Sequence, residues 1–321
     1  MIRQYDYAPL DGITRAVYRR VWQERFGGAD RLFLPFFSPT EHHVLTKKDL
    51  GELDPAANPD TELVPQVMTR RAEDLAWASE AMADMGFREI NLNLGCPSGT
   101  VTGKGKGAGF LMEPEELDRF FDAASPKLAL PLSVKTRIGF HTPEEFPALL
   151  DVFNRYPLSS LIVHARTAKE KYRGPVHDEA FAYALAHSRN PVSCNGNLRT
   201  AGEIGDFSRR HPSAEAVMIG RGAMADPALF RKLRGGPAAT REELHSFTAA
   251  LYWEYQRHYG NAAHAAQRMR EVWFYLIHLF EDDNRCNKRM RRFRGPAEYE
   301  AAEAAIFSTL PLRQDSAGEL I

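Results

Sequence analysis

The sequence predicts an α/β fold, a (β/α)8 TIM barrel followed by a small all-helical C-terminal domain. Three observations carry this. Eight short, apolar, β-rich runs recur along the chain, and most of them end in polar or glycine-rich residues. Segments with helical periodicity separate them, at about 30 residues per strand–helix unit. Beyond Gly235-Gly236-Pro237 the strand signal stops and amphipathic helical runs replace it.

The eight expected strands are Tyr5–Leu10, Arg31–Phe37, Glu62–Met68, Glu89–Gly95, Pro131–Gly139, Ser160–Arg166, Pro191–Asn197 and Ala216–Gly222. Leu75, Ala78, Ala81, Met82 and Met85 share one face of an expected helix over 70–86, and Leu117, Phe120, Phe121 and Ala124 share one over 113–125. Thr142 with Glu145 and Thr200 with Glu203 have the spacing of a capping hydroxyl and its reciprocal carboxylate, so helices should start there. Thr40 to Thr61 is rich in Pro and Asn and reads as a loop. After the Gly-Gly-Pro linker, helices are expected over 241–259, 262–280, 284–293 and 296–310. The division is a barrel over 1–235 and a helical domain over 240–321.

The chain has 321 residues, with 41 Lys+Arg against 42 Asp+Glu and a formal charge of −1. That excludes a protein held to nucleic acid by bulk positive charge, and it leaves local clusters open. Cys96, Cys194 and Cys286 are far apart and odd in number, which argues against a disulfide framework or a metal site and fits a reducing compartment. The first residues lack the apolar stretch of a secretory leader, and no run approaches the ~20 apolar residues of a membrane helix. A cytoplasmic protein with no membrane partner is expected.

In such barrels chemistry sits at the C-terminal ends of the strands. There the sequence presents Ala8-Pro9-Leu10-Asp11-Gly12, Gln66, Asn91 to Pro97, Lys135 with Arg137, His164 with Arg166, Asn195-Gly196-Asn197 and Gly220-Arg221-Gly222. The last two groups lie where barrels often build a phosphate site from bare backbone N–H groups. Either loop alone could simply turn the chain; both at those strands favour phosphate. Gln66, Lys135 and His164 would face the same cup. A cation and an amide there could hold the polar edge of a flat heteroaromatic ring, although Lys135 or His164 taken alone is better explained as structural. Cys96 stands between Gly95 and Pro97 at a strand end, before a loop rich in glycine and lysine. A free thiol titrates around 8.5 and keeps its proton at neutral pH, so it can serve as a general acid. The glycine loop 103–109 has neither Walker nor dinucleotide-fold spacing. Two basic clusters stand out. One is Arg166, Lys169, Lys171 and Arg173. The other is the run 285–294, which carries six cations in ten residues next to the acidic Glu281-Asp282-Asp283. Such a run is usually a solvated helix face, and on a neutral protein it also suits contact with a phosphate backbone.

Asn93-Leu94-Gly95-Cys96-Pro97 resembles the strand-end motif of the tRNA-dihydrouridine synthase family, an FMN-dependent family of bacterial type. Lys106-Gly107-Ala108-Gly109 and Pro114 follow at its spacing. Ala8 to Gly12, Val134 to Gly139, His164 to Thr167, Tyr172 to Gly174, Asn195 to Asn197 and Met218 to Gly222 are similar to its other motifs. The likeness spans the barrel and is looser in the helical tail. Leu10 stands where the family has Met, and Asn91 and Asn197 where it more often has Asp.

The resemblance implies an oxidoreductase acting on a CH–CH group with NAD(P)H. It would reduce uridine in folded RNA to 5,6-dihydrouridine, in tRNA foremost and in rRNA as the alternative. NADPH, or NADH in its place, would be the electron donor. Hydride would pass from N5 of FMN to uracil C6 and a proton from Cys96 to C5. By motif position Pro9, Leu10, Asp11, Gln66, Lys135, His164, Asn195, Gly196, Asn197, Gly220 and Arg221 would hold FMN. Asn93, Arg137, Arg166, Arg173, Lys288, Arg291 and Arg292 would meet the uracil or the RNA. No obligate protein partner is implied, and a monomer is expected. Two other readings stay open. A flavin barrel acting on a small molecule such as a dihydropyrimidine would need no basic tail. A non-catalytic RNA-binding module would need no Cys96 or Lys135.

Overall fold

The computed structural model of the chain describes residues 2–59, 61–282 and 284–317. Met1, Asp60, Asp283 and residues 318–321 of the expected segments lie outside them. Among the described residues nine parallel strands form one sheet. They are β1 (Gln4–Tyr7), β2 (Arg31–Phe33), β3 (Glu62–Val64), β4 (Gln66–Val67), β5 (Ile90–Leu94), β6 (Leu132–Arg137), β7 (Ser160–His164), β8 (Val192–Asn195) and β9 (Ala216–Ile219). Their order is β3-β2-β1-β9-β8-β7-β6-β5-β4. β3 and β4 are halves of one run parted at Pro65, which has no N–H to give a neighbour. The first half pairs with β2 (Leu32↔Leu63) and the second with β5 (Gln66↔Asn91), so the sheet closes on itself as a barrel. The eight expected strands are all present, the third in two pieces.

The helices are α1 (Ala16–Arg25), α2 (Lys47–Glu52), α3 (Ala72–Asp84), α4 (Gly99–Thr102), α5 (Pro114–Ala124), α6 (Phe146–Phe153), α7 (Asp178–His187), α8 (Ala201–Arg210), α9 (Arg221–Ala225), α10 (Leu229–Leu233), α11 (Arg241–Tyr259), α12 (Ala262–Leu276), α13 (Arg285–Arg292) and α14 (Pro296–Thr309). The stretch read as a loop over 40–61 contains α2. Thr46 and Asp49 cap it reciprocally, Thr46 Oγ1 accepting Asp49 N–H at 3.1 Å and Asp49 Oδ2 accepting Thr46 N–H at 2.9 Å. None of its residues is buried, so it leaves no apolar period in the sequence. The expected helix over 262–280 ends at Leu276 and continues as a 3-10 turn, Ile277–Leu279.

The chain divides into two compact units. The first comprises Met1–Pro9, Asp30–Asn197 and Ser208–Met218, and the second Leu10–Ala29, Leu198–Phe207 and Ile219–Ile321. In the first, Ala8, Phe33, Val64, Ile162 and Met218 form a buried apolar cluster on the strands. Outside the sheet, α5, α6 and α7 pack in sequence through Phe121 on Phe153 and Phe146 on Tyr183. In the second unit α1 lies on α11, with the rings of Tyr18 and Phe26 edge-on to Phe247. Trp273, Phe280 and Phe307 join the helices further on. Asp282, expected as part of an acidic face, caps α13 by accepting the N–H groups of Cys286 and Asn287 at 3.2 and 2.8 Å. No helix among the described residues is long and apolar enough to cross a membrane.

Candidate active site

Side chains two apart on a strand share a face. Asn91 and Asn93 therefore project together from β5, and Ser133, Lys135 and Arg137 from β6. The register sets Gln66 beside Asn91, Asn91 beside Ser133, Asn93 beside Lys135, Arg137 beside His164 and His164 beside Asn195. A polar layer results within the first unit.

The layer is a directed chain of hydrogen bonds. Gly95 and Cys96 each donate a backbone N–H to Asn93 Oδ1, both at 3.0 Å. Asn93 Nδ2 donates to Gln66 Oε1 at 2.6 Å, Gln66 Nε2 to Asn91 Oδ1 at 2.7 Å, and Asn91 Nδ2 to Ser133 Oγ at 2.8 Å. The Ser133 hydroxyl hydrogen-bonds the buried carboxylate of Glu89. Glu89 also meets Arg31 at 3.0 Å, and Arg31 pairs with the fully buried Asp6 at 2.8 Å. Two backbone N–H groups can be met only by the oxygen of Asn93, so the amide orientations follow from chemistry. Ser133 and Glu89 build the site without having been expected in it, and Asn91, read at the strand end without a role, links Gln66 to Ser133. Their signal was the period of two that Asn91 and Ser133 share with Asn93 and Lys135.

Lys135 Nζ donates to Asn195 Oδ1 at 3.0 Å, and Asn195 Nδ2 donates to Met218 O at 2.7 Å. Lys135 keeps some exposed surface, yet its ammonium is enclosed by the strand ends. That burial, with the Arg137 cation second, pushes its pKa down to about 7 against the weaker pull of Cys96. Arg137 is itself buried. Its guanidinium donates to Gly95 O at 2.7 Å, Thr167 O at 2.8 Å and Lys171 O at 2.7 Å, and lies 5.2 Å from the exposed Tyr172 ring. It thus ties the Cys96 turn to the loop after β7. Arg166, also buried, donates to Gly174 O at 2.7 Å and Asn197 Oδ1 at 3.1 Å, and faces His164 Nε2 at 3.3 Å. A guanidinium only donates, so a neutral His164 carries its proton on Nδ1.

The turn after Cys96 is held from outside as well. Gly107 adopts φ +55°, and a Cβ there would come within 2.9 Å of Cys96 O and 3.2 Å of Cys96 Cβ. The glycine loop folds directly against the half-buried cysteine, and Ala108 N–H donates to Cys96 O at 3.1 Å. Gly196 adopts φ +127° with a virtual Cβ 3.1 Å from the His164 ring, so that turn stays bare backbone. Cys194 and Cys286 are buried, and burial pushes the Cys194 thiol up to about 12.

The structure therefore brings Gln66, Asn93, Cys96, Lys135, Arg137, His164, Arg166, Asn195 and Asn197 together in the first unit, as three hydrogen-bonded groups that the strand register sets side by side. Pro9 lies two residues past the end of β1, and Arg173 is exposed in the loop after β7. The other expected residues belong to the second unit. Leu10 donates its N–H to Thr14 Oγ1 at 2.9 Å, Asp11 is exposed, Gly220 and Arg221 open α9, and Lys288, Arg291 and Arg292 lie exposed on α13.

The solved structures that this chain resembles share its fold at low identity. A variant of NCR from Zymomonas mobilis aligns with a TM-score of 0.51 at 13% identity, over 74% of this chain and 89% of that one. A 2-naphthoyl-CoA reductase complex aligns with a TM-score of 0.55 at 11% identity, over 73% and 50%. A probable tRNA-dihydrouridine synthase of Staphylococcus epidermidis is 30% identical over 233 residues, 70% of each chain. A probable tRNA-dihydrouridine synthase 2 of Bacillus subtilis is 29% identical over 232 residues, again 70% of each. The family described as Dihydrouridine synthase (Dus) matches residues 6–308, nearly the whole described chain. With that span, and with the Asn93–Cys96 turn built as above, the chain belongs to the dihydrouridine synthase family.

Proposed function

We propose that this protein reduces a uridine of tRNA to 5,6-dihydrouridine with FMN as its bound cofactor and NADPH as electron donor. The observation that carries it is the pinning of the Cys96 backbone by Asn93 at one end of a fully directed amide chain. FMN, when bound, supplies the hydride for uracil C6.

The residues present suit a flavin. Lys135 is a desolvated cation with one hydrogen-bond partner, Asn195, among the described residues. A group with an electronegative edge completes its donor set, and an anionic edge draws a proton onto it. Gln66 and His164 would hold the ring, and Asn195, Gly196 and Asn197 the phosphate end. Pro9, Leu10, Asp11, Gly220 and Arg221 are assigned to FMN by motif position alone.

Cys96 hands its thiol proton to uracil C5. The second Nδ2 hydrogen of Asn93 has no partner among the described residues, and we assign it to a uracil carbonyl. Arg137 and Arg166 hold the surrounding loops by their backbone carbonyls and Asn197, and a rearranged guanidinium could meet the uracil. Arg173, Lys288 and Arg292 meet phosphates, and Arg291 meets the RNA beside them. A uridine inside a folded RNA must leave its stack to reach a barrel mouth, so the reading includes base flipping. It also includes a barrel over 1–235, an RNA-binding helical domain over 240–321, a monomer, and a cytoplasmic setting.

The test is mass spectrometry of RNA from a strain lacking the protein, with add-back of wild type or Cys96→Ala. A mapped dihydrouridine should vanish and return only with wild type. Purified Cys96→Ala should stay yellow and lose about 100-fold or more in turnover on unmodified transcript. A fully active Cys96→Ala removes the acid role. Reduction of free dihydropyrimidine-type substrates with no RNA dependence removes the RNA reading.

A further inference from the structure

We propose that the hollow beside α12 and α13 is a stacking site for one unpaired nucleobase of the RNA substrate, with Phe274 as its platform and Arg291 as its lid. The proposal rests on the RNA reading above and adds a site that none of the family motifs covers.

The hollow has a volume of about 270 Å³ and is lined by Ile13, Arg270, Glu271, Phe274, Tyr275 and Arg291. All six belong to the second unit. α12 turns Ala265, Ala266, Met269, Val272, Trp273 and Leu276 inward, whereas Phe274 is 49% exposed. A single exposed aromatic residue needs no explanation. This one forms the side of a base-sized hollow, and the exposed Arg291 guanidinium stands 6.0 Å from its ring centroid.

The walls differ in freedom. Arg270 stacks on Phe293 at 4.2 Å and donates to Phe293 O at 2.5 Å, so it is a fixed wall. Glu271 is held by Arg268 at 3.0 Å and presents an acceptor oxygen to the amino edge of a base. Arg291 has the solvent-exposed reach to swing over an incoming ring.

A phenyl ring recognises its ligand by the face, which any base possesses, and an arginine over it adds a cation–π contact. Charge selects the polymer. Arg285, Lys288, Arg289, Arg292 and Arg294 are all exposed beside the hollow in sequence, a set suited to the phosphates that flank a stacked base.

The test measures binding of unmodified tRNA transcript to holoenzyme over a range of salt, using wild type, Phe274→Ala, Phe274→Leu and Phe274→Trp. Flavin absorbance and melting temperature serve as folding checks, since the side chain is half in solvent. Phe274→Ala should weaken binding about ten-fold with an unchanged salt slope, and Phe274→Trp should restore it while Phe274→Leu does not. Ultraviolet crosslinks to RNA should map to Phe274 or Tyr275. Wild-type affinity in Phe274→Ala overturns the proposal, and so does rescue by Leu. So does a Phe274→Ala defect that appears with anionic vesicles and not with RNA. If the stacking effect appears and no dihydrouridine forms, the base site stands and the reductase reading fails.

Discussion

The backbone N–H of Cys96 donates to the side-chain oxygen of Asn93 at 3.0 Å, and the neighbouring Gly95 N–H shares that oxygen. The direction in which the thiol leaves its turn is set by a buried carboxamide three residues earlier.

Asn93→Ala leaves those two N–H groups, in a half-buried turn, without their acceptor. We expect a loss of about 1–3 kcal/mol in stability and at least about ten-fold in single-turnover rate, with flavin retained. Asn93→Asp keeps the acceptor but sets a carboxylate oxygen against Gln66 Oε1, so it should not rescue the rate. Thermal melting and single-turnover reduction of transcript check both variants. A rate unchanged in Asn93→Ala would separate Asn93 from the chemistry.

Lys135 gives the apoprotein a signature in pH. Its folded pKa of about 7 lies below the ~10.4 of an unfolded lysine, so between those values the unfolded chain binds more protons and stability rises with pH. Apo Lys135→Met should melt above apo wild type at pH 6, and the gap should close as pH climbs from about 7 towards 10. FMN affinity should fall in the same variant. Calorimetric melts from pH 6 to 10, with flavin titration, measure these effects. A gap that widens with pH would contradict the assignment.

The helical unit should respond in the opposite sense. Burial raises the carboxyl of Glu303 above its ordinary value, and Tyr299 Oη donates to it at 2.7 Å. Its contribution is full below the unfolded value of ~4.3 and is lost as pH rises through the folded one. Glu303→Gln keeps an acceptor for Tyr299 and removes the buried charge. It should melt above wild type at pH 7, with the advantage shrinking towards pH 4.

Charge reversal on α13 tests the RNA face. Arg291→Glu with Arg292→Glu should weaken tRNA binding and lower the slope of log affinity against log salt by about one for each phosphate the helix no longer holds. Fluorescence anisotropy at several salt concentrations provides the slope. An unchanged affinity and slope would detach α13 from RNA.

The barrel was legible because each strand is a short apolar run and each outer helix buries a periodic face. Helix α2 was not, because it buries nothing and shows itself only through the Thr46–Asp49 cap. Among site residues, Gln66, Asn93, Cys96 and Lys135 were found by their place at strand ends. Their partners were harder to see. Ser133 and Glu89 sit lower in β6 or at the β5 entrance, where polar side chains look like ordinary interior residues, and Asn91 was visible at its strand end but not as the link that the register makes of it. Arg137 and Arg166 were visible as cations but not as cross-braces, because their partners are backbone carbonyls, which the sequence does not distinguish from any others.

The carboxamides of Gln66, Asn91 and Asn93 could each, in isolation, be turned end for end. In sequence they cannot. Turning one sets N–H against N–H on one side and oxygen against oxygen on the other, so they would have to turn together. Turning together is barred at the upper end, since the amides of Gly95 and Cys96 have no lone pair to offer. The row has a single allowed parity, written by two backbone N–H groups beside the thiol and carried down to Ser133.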